Sequence, residues 1–296
     1  RNKIDRATEK LGFGLSHSSE EKHILLFTPI DIAQQIARID SEYFNKIPIK
    51  DYLHQSWTKD PENSGVTHCI THFNNLCNWA ITWIVRQIDL KTRLRTVQHI
   101  LDIAMELLEL GDFLALFALA SAFSGAAVSR LKETLSLLED RRKVTLETLE
   151  RLVDNSNNYR TYRDMLEVRI SEGHCIPQLA LYLRNLTFME DGNPNFLNES
   201  TDLANIGKFR LITRTIEEIE AMKLLGYEGI IDPNSEIEKL ILFAPRVDDA
   251  EEQYQLSITC EARKQRNSVL IQSAVELRSK QPSDSANELR RISLPS

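Results

Sequence analysis

The chain has 296 residues, 42% of them apolar and 27% charged, which suits a folded globular protein with a sizeable core. A net charge of −7 speaks against nucleic acid as the main partner, because neutralising phosphates takes clustered Lys and Arg. Ten Gly and nine Pro are too few for an all-β architecture rich in turns.

Residues 1–25 are polar and charged and read as an N-terminal tail or linker. A helix start follows, with Thr28 as N-cap, Pro29 in the first position and Asp31 in the first turn. Ile32, Ile36 and Ile39 then recur at helical spacing, and Phe44 and Ile47 lead into the short segment DYLHQSW. DPENSG, from Asp60 to Gly65, reads as a loop. Val66 to Ile88 carries a long helical pattern, and Leu94 to Leu110 an amphipathic one. The apolar run from Leu114 to Phe123 is too short to span a bilayer. EDRRK, Glu139 to Lys143, reads as a charged link before helical patterns at Leu146–Asp154 and Tyr159–Ile170.

The stretch IPQLALYLRNLTFMEDGNPNF, Ile176 to Phe196, predicts an amphipathic helix that ends in an acidic turn. Pro177 suits a first turn, and Leu179, Tyr182, Leu183 and Leu186 form one apolar face. Arg184, Thr187 or Phe188, and Asp191 fall on another side. GNP breaks the helix, since Gly192 and Asn193 tolerate left-handed backbone and Pro194 cannot continue the hydrogen bonds. A second pattern starts near Ala204, with Leu211, Ile212, Ile216, Ile219 and Met222, so the pair predicts an αα-hairpin around a short polar link. Pro233 to Leu242 and a segment from Tyr254 complete the helical patterns, and residues 266–296 form a polar C-terminal tail. The expected fold is all-α: a single large helical domain over residues 26–265 with a protruding hairpin.

No G-x-G-x-x-G, G-x-x-x-x-G-K-[ST] or H-E-x-x-H occurs, so neither direct nucleotide binding nor a cofactor is expected. His68, Cys69, His72 and Cys77 lack the paired spacing of structural zinc, and no metal site is expected. The two Cys read as small core residues and the His as lying near a surface. Four scattered Cys suit a reducing compartment, and the expected location is cytoplasmic. RRISLP, ending the tail, is similar to a basophilic kinase site, which makes Ser293 a candidate phosphosite.

IPQLALYLRNLTFMEDGNP resembles the signature hairpin of the Ras-family guanine-nucleotide exchange factor catalytic domain. Other blocks resemble that family in order: DIAQQIARID, HFNNLCNWAITWIV, RLRTVQHILDIAMELLELGDF, the core Arg130-Leu131-Lys132-x-Thr134, NSNNYRTYRDML, and YQLSITCEAR. The resemblance runs from about Leu26 to Arg263. Departures are Asp112 where Asn is usual, Ala127 for a Pro, Leu135 for a Trp, and Asn205-Ile206-Gly207-Lys208 for Asn-Phe-x-Lys.

The resemblance implies a non-covalent exchange catalyst for a Ras-like small GTPase such as Ras, Rap or Ral. It implies that the hairpin opens switch I and disrupts the Mg²⁺ and phosphate site. The two side chains that reach that site map to Thr187 and Asp191, and Asn193 follows the turn. Gln178 and Leu179 stand where an aromatic anchor is common, and with Arg184 and Phe188 they map to the hairpin's GTPase contacts. Asn74, Ser124, Ser129 and Arg130 map to a second contact surface. For Asn74 and Arg130 a structural role, in a helix-helix hydrogen bond or a buried charge pair, stands beside that one. An alternative is a non-catalytic GTPase-binding module of the same fold. Membrane recruitment would come through the GTPase or a further region, since no transmembrane segment is expected. Many members brace the hairpin with an N-terminal helical module, for which residues 1–25 are too short.

Overall fold

The computed structural model describes residues 23–197, 203–225, 227 and 229–262. Ser293 and residues 266–296 of the expected tail lie outside them. The described residues contain α1 (Pro29–Asn45), α2 (Ser56–Lys59), α3 (Gly65–Val85), α4 (Leu90–Leu110), α5 (Phe113–Ser124), α6 (Ala126–Ser129) and α7 (Lys132–Ser136). They continue with α8 (Asp140–Val153), α9 (Arg160–Glu172), α10 (Leu179–Gly192), α11 (Ile206–Lys223), α12 (Ser235–Leu242) and α13 (Ala250–Cys260). Short 3-10 turns occupy Ile24–Leu26 and Ile49–Tyr52. Apart from two isolated bridges, no strand is present among the described residues.

The apolar run near 114–123 becomes the axis of the domain. Helix α5 is buried on nearly every side, Phe113 to Ala120 without exception, and packs against α1, α3, α4 and α8. A helix that is apolar all round has no face to give to water, so its neighbours must enclose it. Six of the helices start at side-chain caps. Thr28, Asp89, Asp112, Asn205, Asn234 and Asp249 each accept a backbone N–H of the following first turn. Helix α12 is tied to α1 by Gln35, whose Nε2 donates to Asp232 O at 3.0 Å while its Oε1 accepts from Asn234 N at 2.9 Å.

Several boundaries differ from the sequence reading. The expected tail gives up its end to the core, where Ile24 is fully buried. EDRRK is not a link: from Asp140 it is the first turn of α8. Arg142 there makes a two-pronged ion pair with Asp102 of α4, at 3.1 and 2.7 Å, while Leu149 and Leu152 bury the apolar face. Helix α3 ends at Val85 and leaves Ile88 exposed. His72 is not near the surface but buried, with Nε2 directed at the Asp40 carboxylate, and Cys69 is buried close by.

Candidate functional site

Leu179, Leu183 and Leu186 recur on one side of α10 and are buried. The helix starts two residues after Pro177, with Gln178 in extended backbone as its N-cap. Gln178 makes no side-chain cap; instead its N–H donates to the buried Tyr162 hydroxyl at 3.0 Å. Just before it, Ile176 bridges to the start of α5: Phe113 N–H donates to Ile176 O at 2.9 Å and Ile176 N–H to Gly111 O at 3.0 Å. The root of α10 is thus sewn into the centre of the domain.

At its far end α10 closes without left-handed backbone. Gly192 is helical and Asn193 extended, and the Asn193 amide donates to Met189 O at 3.1 Å, satisfying one terminal carbonyl. The link to α11 runs from Asn193 to Asn205, and among its described residues it is paired. Leu197 N–H donates to Leu203 O at 2.7 Å and Asn205 N–H to Asn195 O at 2.8 Å.

Helix α11 runs back along α10, its Met222 beside Tyr182 and its Thr215 beside Met189. Ile212, Ile216, Ile219 and Met222 are buried, whereas Leu211 is exposed. Lys208 joins the two helices. Its ammonium is almost fully buried and donates to Glu190 O at 2.9 Å and Asn195 Oδ1 at 2.7 Å, with Glu190 Oε2 at 3.4 Å.

The acidic end of α10 meets a turn from the other end of the sequence. His54 and Gln55 both take left-handed backbone, with φ of 54°. His54 Nδ1 lies 3.2 Å from Glu190 Oε1, and Gln55 Nε2 donates to Asp191 Oδ1 at 2.8 Å. Desolvation favours the neutral Glu190 carboxyl, but the His54 hydrogen bond and the Lys208 ammonium outweigh it and hold the group below the usual carboxylate range. Beneath these contacts Leu53, Trp57, Leu186, Phe209 and Ile212 line a small crevice.

Of the residues singled out in the sequence, Asp191 and Phe188 are exposed, and Thr187 is half-buried with its hydroxyl donating to Leu183 O at 2.9 Å. Gln178 and Leu179 are buried, so the free chain does not present either as a surface anchor. Arg184 turns back to the domain, over the Tyr159 ring and onto Asn158 Oδ1 at 2.8 Å. Asn74 and Ser124 are exposed, and Ser129 is half-buried. Arg130 is half-buried; it donates to Ser257 O and Oγ and lies over Tyr254, tying α6 to α13. Reading the sequence missed His54, Gln55 and Lys208. The quoted strings DYLHQSW and Asn205-Ile206-Gly207-Lys208 contain all three, but only the fold brings them to one end of α10.

The all-α architecture agrees with what similarity to known proteins shows. Residues 31–210 match the family described as RasGEF domain, and the chain belongs to that family. Cell division control protein 25 of Saccharomyces cerevisiae is 31% identical over 246 residues, 81% of this chain and 15% of that protein. Ras guanine nucleotide exchange factor D of Dictyostelium discoideum is 34% identical over 190 residues, 64% of this chain and 28% of that protein. Ras-specific guanine nucleotide-releasing factor 1 of Homo sapiens is 27% identical over 237 residues, 79% of this chain and 18% of that protein. The chain therefore spans well under a third of the length of these relatives. Among the described residues no helix is long and apolar enough to cross a membrane.

Proposed function

We propose that this chain accelerates GDP release from a Ras-like small GTPase by inserting the α10–α11 hairpin. One observation carries the reading: the rooted helix α10 ends in an exposed Asp191 carboxylate, with exposed Phe188 one turn before it. Membership of the family supports it, as do the names of the relatives. No covalent chemistry is needed. A small GTPase holds its nucleotide through phosphate and Mg²⁺ contacts, and a carboxylate brought there competes for the groups that bound phosphate. Speeding release ~10⁴-fold means lowering the barrier by roughly 5–6 kcal/mol. Only stronger binding to the open, nucleotide-free GTPase than to the closed one can supply it.

In this reading Asp191 acts on the phosphate site and Thr187 stands beside it. The Thr187 hydroxyl is occupied by its own helix, which leaves the carboxylate as the principal polar group. Asn193 holds the helix end through Met189 O. Phe188, Asn74, Ser124 and Ser129 belong to the GTPase-facing surface, and the partner is a Ras, Rap or Ral-type protein at a cytoplasmic membrane surface. The test is release of fluorescent GDP from a panel of such GTPases in excess unlabelled nucleotide. Acceleration on one member, lost in Asp191→Ala with unchanged melting, supports exchange. Stable binding to a nucleotide-free GTPase without acceleration makes the chain a binding module instead.

A further inference from the structure

Glu190 and Asp191 occupy the last turn of α10, where the helix dipole places partial negative charge. Two carboxylates there disfavour the helical turn that carries them, and donors from outside must offset this. Lys208 provides one from within the hairpin. The others come from the His54–Gln55 turn, in two consecutive left-handed residues that are neither Gly nor Asn. Such backbone costs free energy at each residue and persists only where surrounding contacts hold it. Here the contacts include those to the end of α10, beside the Thr58 N–H and hydroxyl that donate to Gln55 O, with Leu53 and Trp57 packed below.

We propose that Gln55 is a positioning residue for exchange: from the left-handed turn it holds the Asp191 carboxylate and the last turn of α10 in the orientation that enters the GTPase. The proposal rests on the exchange reading for its consequence but not for its geometry. Gln55 touches no substrate; it acts through Asp191. The gain is preorganisation, since a carboxylate already fixed loses less rotamer freedom on insertion.

The experiment compares the whole chain with Gln55→Ala and Gln55→Glu by amide hydrogen exchange and by GDP release. One such hydrogen bond corresponds to about a two- to tenfold effect. The peptide covering 184–193 is expected to exchange that much faster in Gln55→Ala and faster still in Gln55→Glu, which sets like charge against Asp191. Peptides of α4 and α5 stay unchanged. Turnover at saturating GTPase falls by a similar factor with KM nearly constant. In an Asp191→Ala background Gln55→Ala adds nothing to either readout. Unchanged exchange of the hairpin peptide overturns the proposal, as does an equal effect in the Asp191→Ala background. A loosened hairpin in a chain whose unsubstituted form releases no GDP from any GTPase leaves the Gln55 contact standing and overturns the exchange reading instead.

Discussion

Asp40 of α1 and Asp112, the N-cap of α5, lie together in the centre of the domain with no exposure to water, near enough for the charge of Asp40 to act on Asp112. Asp40 Oδ1 faces His72 Nε2 and Asp112 Oδ1 accepts Ala115 N–H at 3.0 Å. The second oxygen of each finds no donor among protein groups. Two carboxylates cannot satisfy each other, but one proton between them can. Desolvation, reinforced for Asp112 by the Asp40 charge, pushes both groups up, Asp40 to about 8. Burial also lowers His72 to about 4, so its ring is neutral beside Asp40, with Nε2 2.5 Å from Asp40 Oδ1.

The pH dependence of stability follows from proton counts. Between about pH 4 and 6.5 the unfolded chain has lost the carboxyl protons but gained one on His72, so the two trends oppose each other. Above about 6.5 only the carboxyl term remains: the fold keeps a proton that the unfolded chain does not, so stability drops as pH rises toward 8. The loss is about 2 kcal/mol for one retained proton. Asp112→Asn keeps the cap acceptor and adds an N–H₂ donor for Asp40. Urea unfolding at pH 6, 7 and 8 is expected to show this variant more stable by about 1–2 kcal/mol at pH 8, with a flatter profile. Parallel profiles for the two proteins would contradict a shared proton.

Lys208 gives a second prediction. Lys208→Met keeps the aliphatic stem and removes the ammonium that holds Glu190 O and Asn195 Oδ1. Its loss leaves two acceptors without their donor and is expected to cost about 1–3 kcal/mol. Because those bonds join α10 to the start of α11, proteolytic cleavage between 193 and 205 should speed up before any global melting is seen. Cleavage that tracks global unfolding alone would show that the lysine does not hold the hairpin separately.

How much of this was legible beforehand depends on range along the chain. Thr28, Pro29 and Asp31 announced the start of α1, because capping is settled within four residues. The hairpin helices were readable from Leu179, Leu183, Leu186 and Ile212, Ile216, Ile219, since burial on one face leaves a helical period. The burial of Gln178 had no local signal, because the Tyr162 hydroxyl that takes its N–H lies on another helix. The family blocks around Thr134 and Glu261 were recognisable as strings, but their physical content is a distant pairing. Glu261 accepts from the N–H of Glu133 and Thr134, while Arg93, buried, donates to Thr134 Oγ1 at 2.8 Å. His54 and Gln55 carried no periodic or capping signal at all.

Two glycines, one near the root of α10 and one at its far end, should respond oppositely to alanine. Gly111 has φ of +76°, and a Cβ there would meet His174 O at 2.6 Å, beside the Ile176 bridge. Gly111→Ala therefore adds a backbone clash to left-handed strain, for an expected loss of about 2–4 kcal/mol. Gly192 closes α10 in ordinary helical backbone, and a Cβ there meets nothing within 4 Å. Gly192→Ala should stabilise by about 0.5–1 kcal/mol through the unfolded chain. Chemical unfolding of both variants decides it, and a destabilised Gly192→Ala would return that residue to the left-handed conformation its sequence context suggested.

Phe188 and Leu179 separate an exposed face from a packing face on the same helix. Phe188 is 66% exposed and Leu179 2% exposed. Phe188→Ser removes apolar surface that the free domain does not use, so its melting temperature should stay within about 1–2 °C of the parent. If Phe188 lies against the GTPase, burying it there contributes roughly 1.5–3 kcal/mol, and the KM for GTPase should rise at least tenfold. Leu179→Ala should behave in reverse, with a stability loss of about 2–5 kcal/mol and a KM that changes only as far as folding fails. A Phe188→Ser protein that both melts and exchanges like the parent would move the contact off this side of α10, and the exposed Asn74 and Ser124 would then be the next side chains to replace.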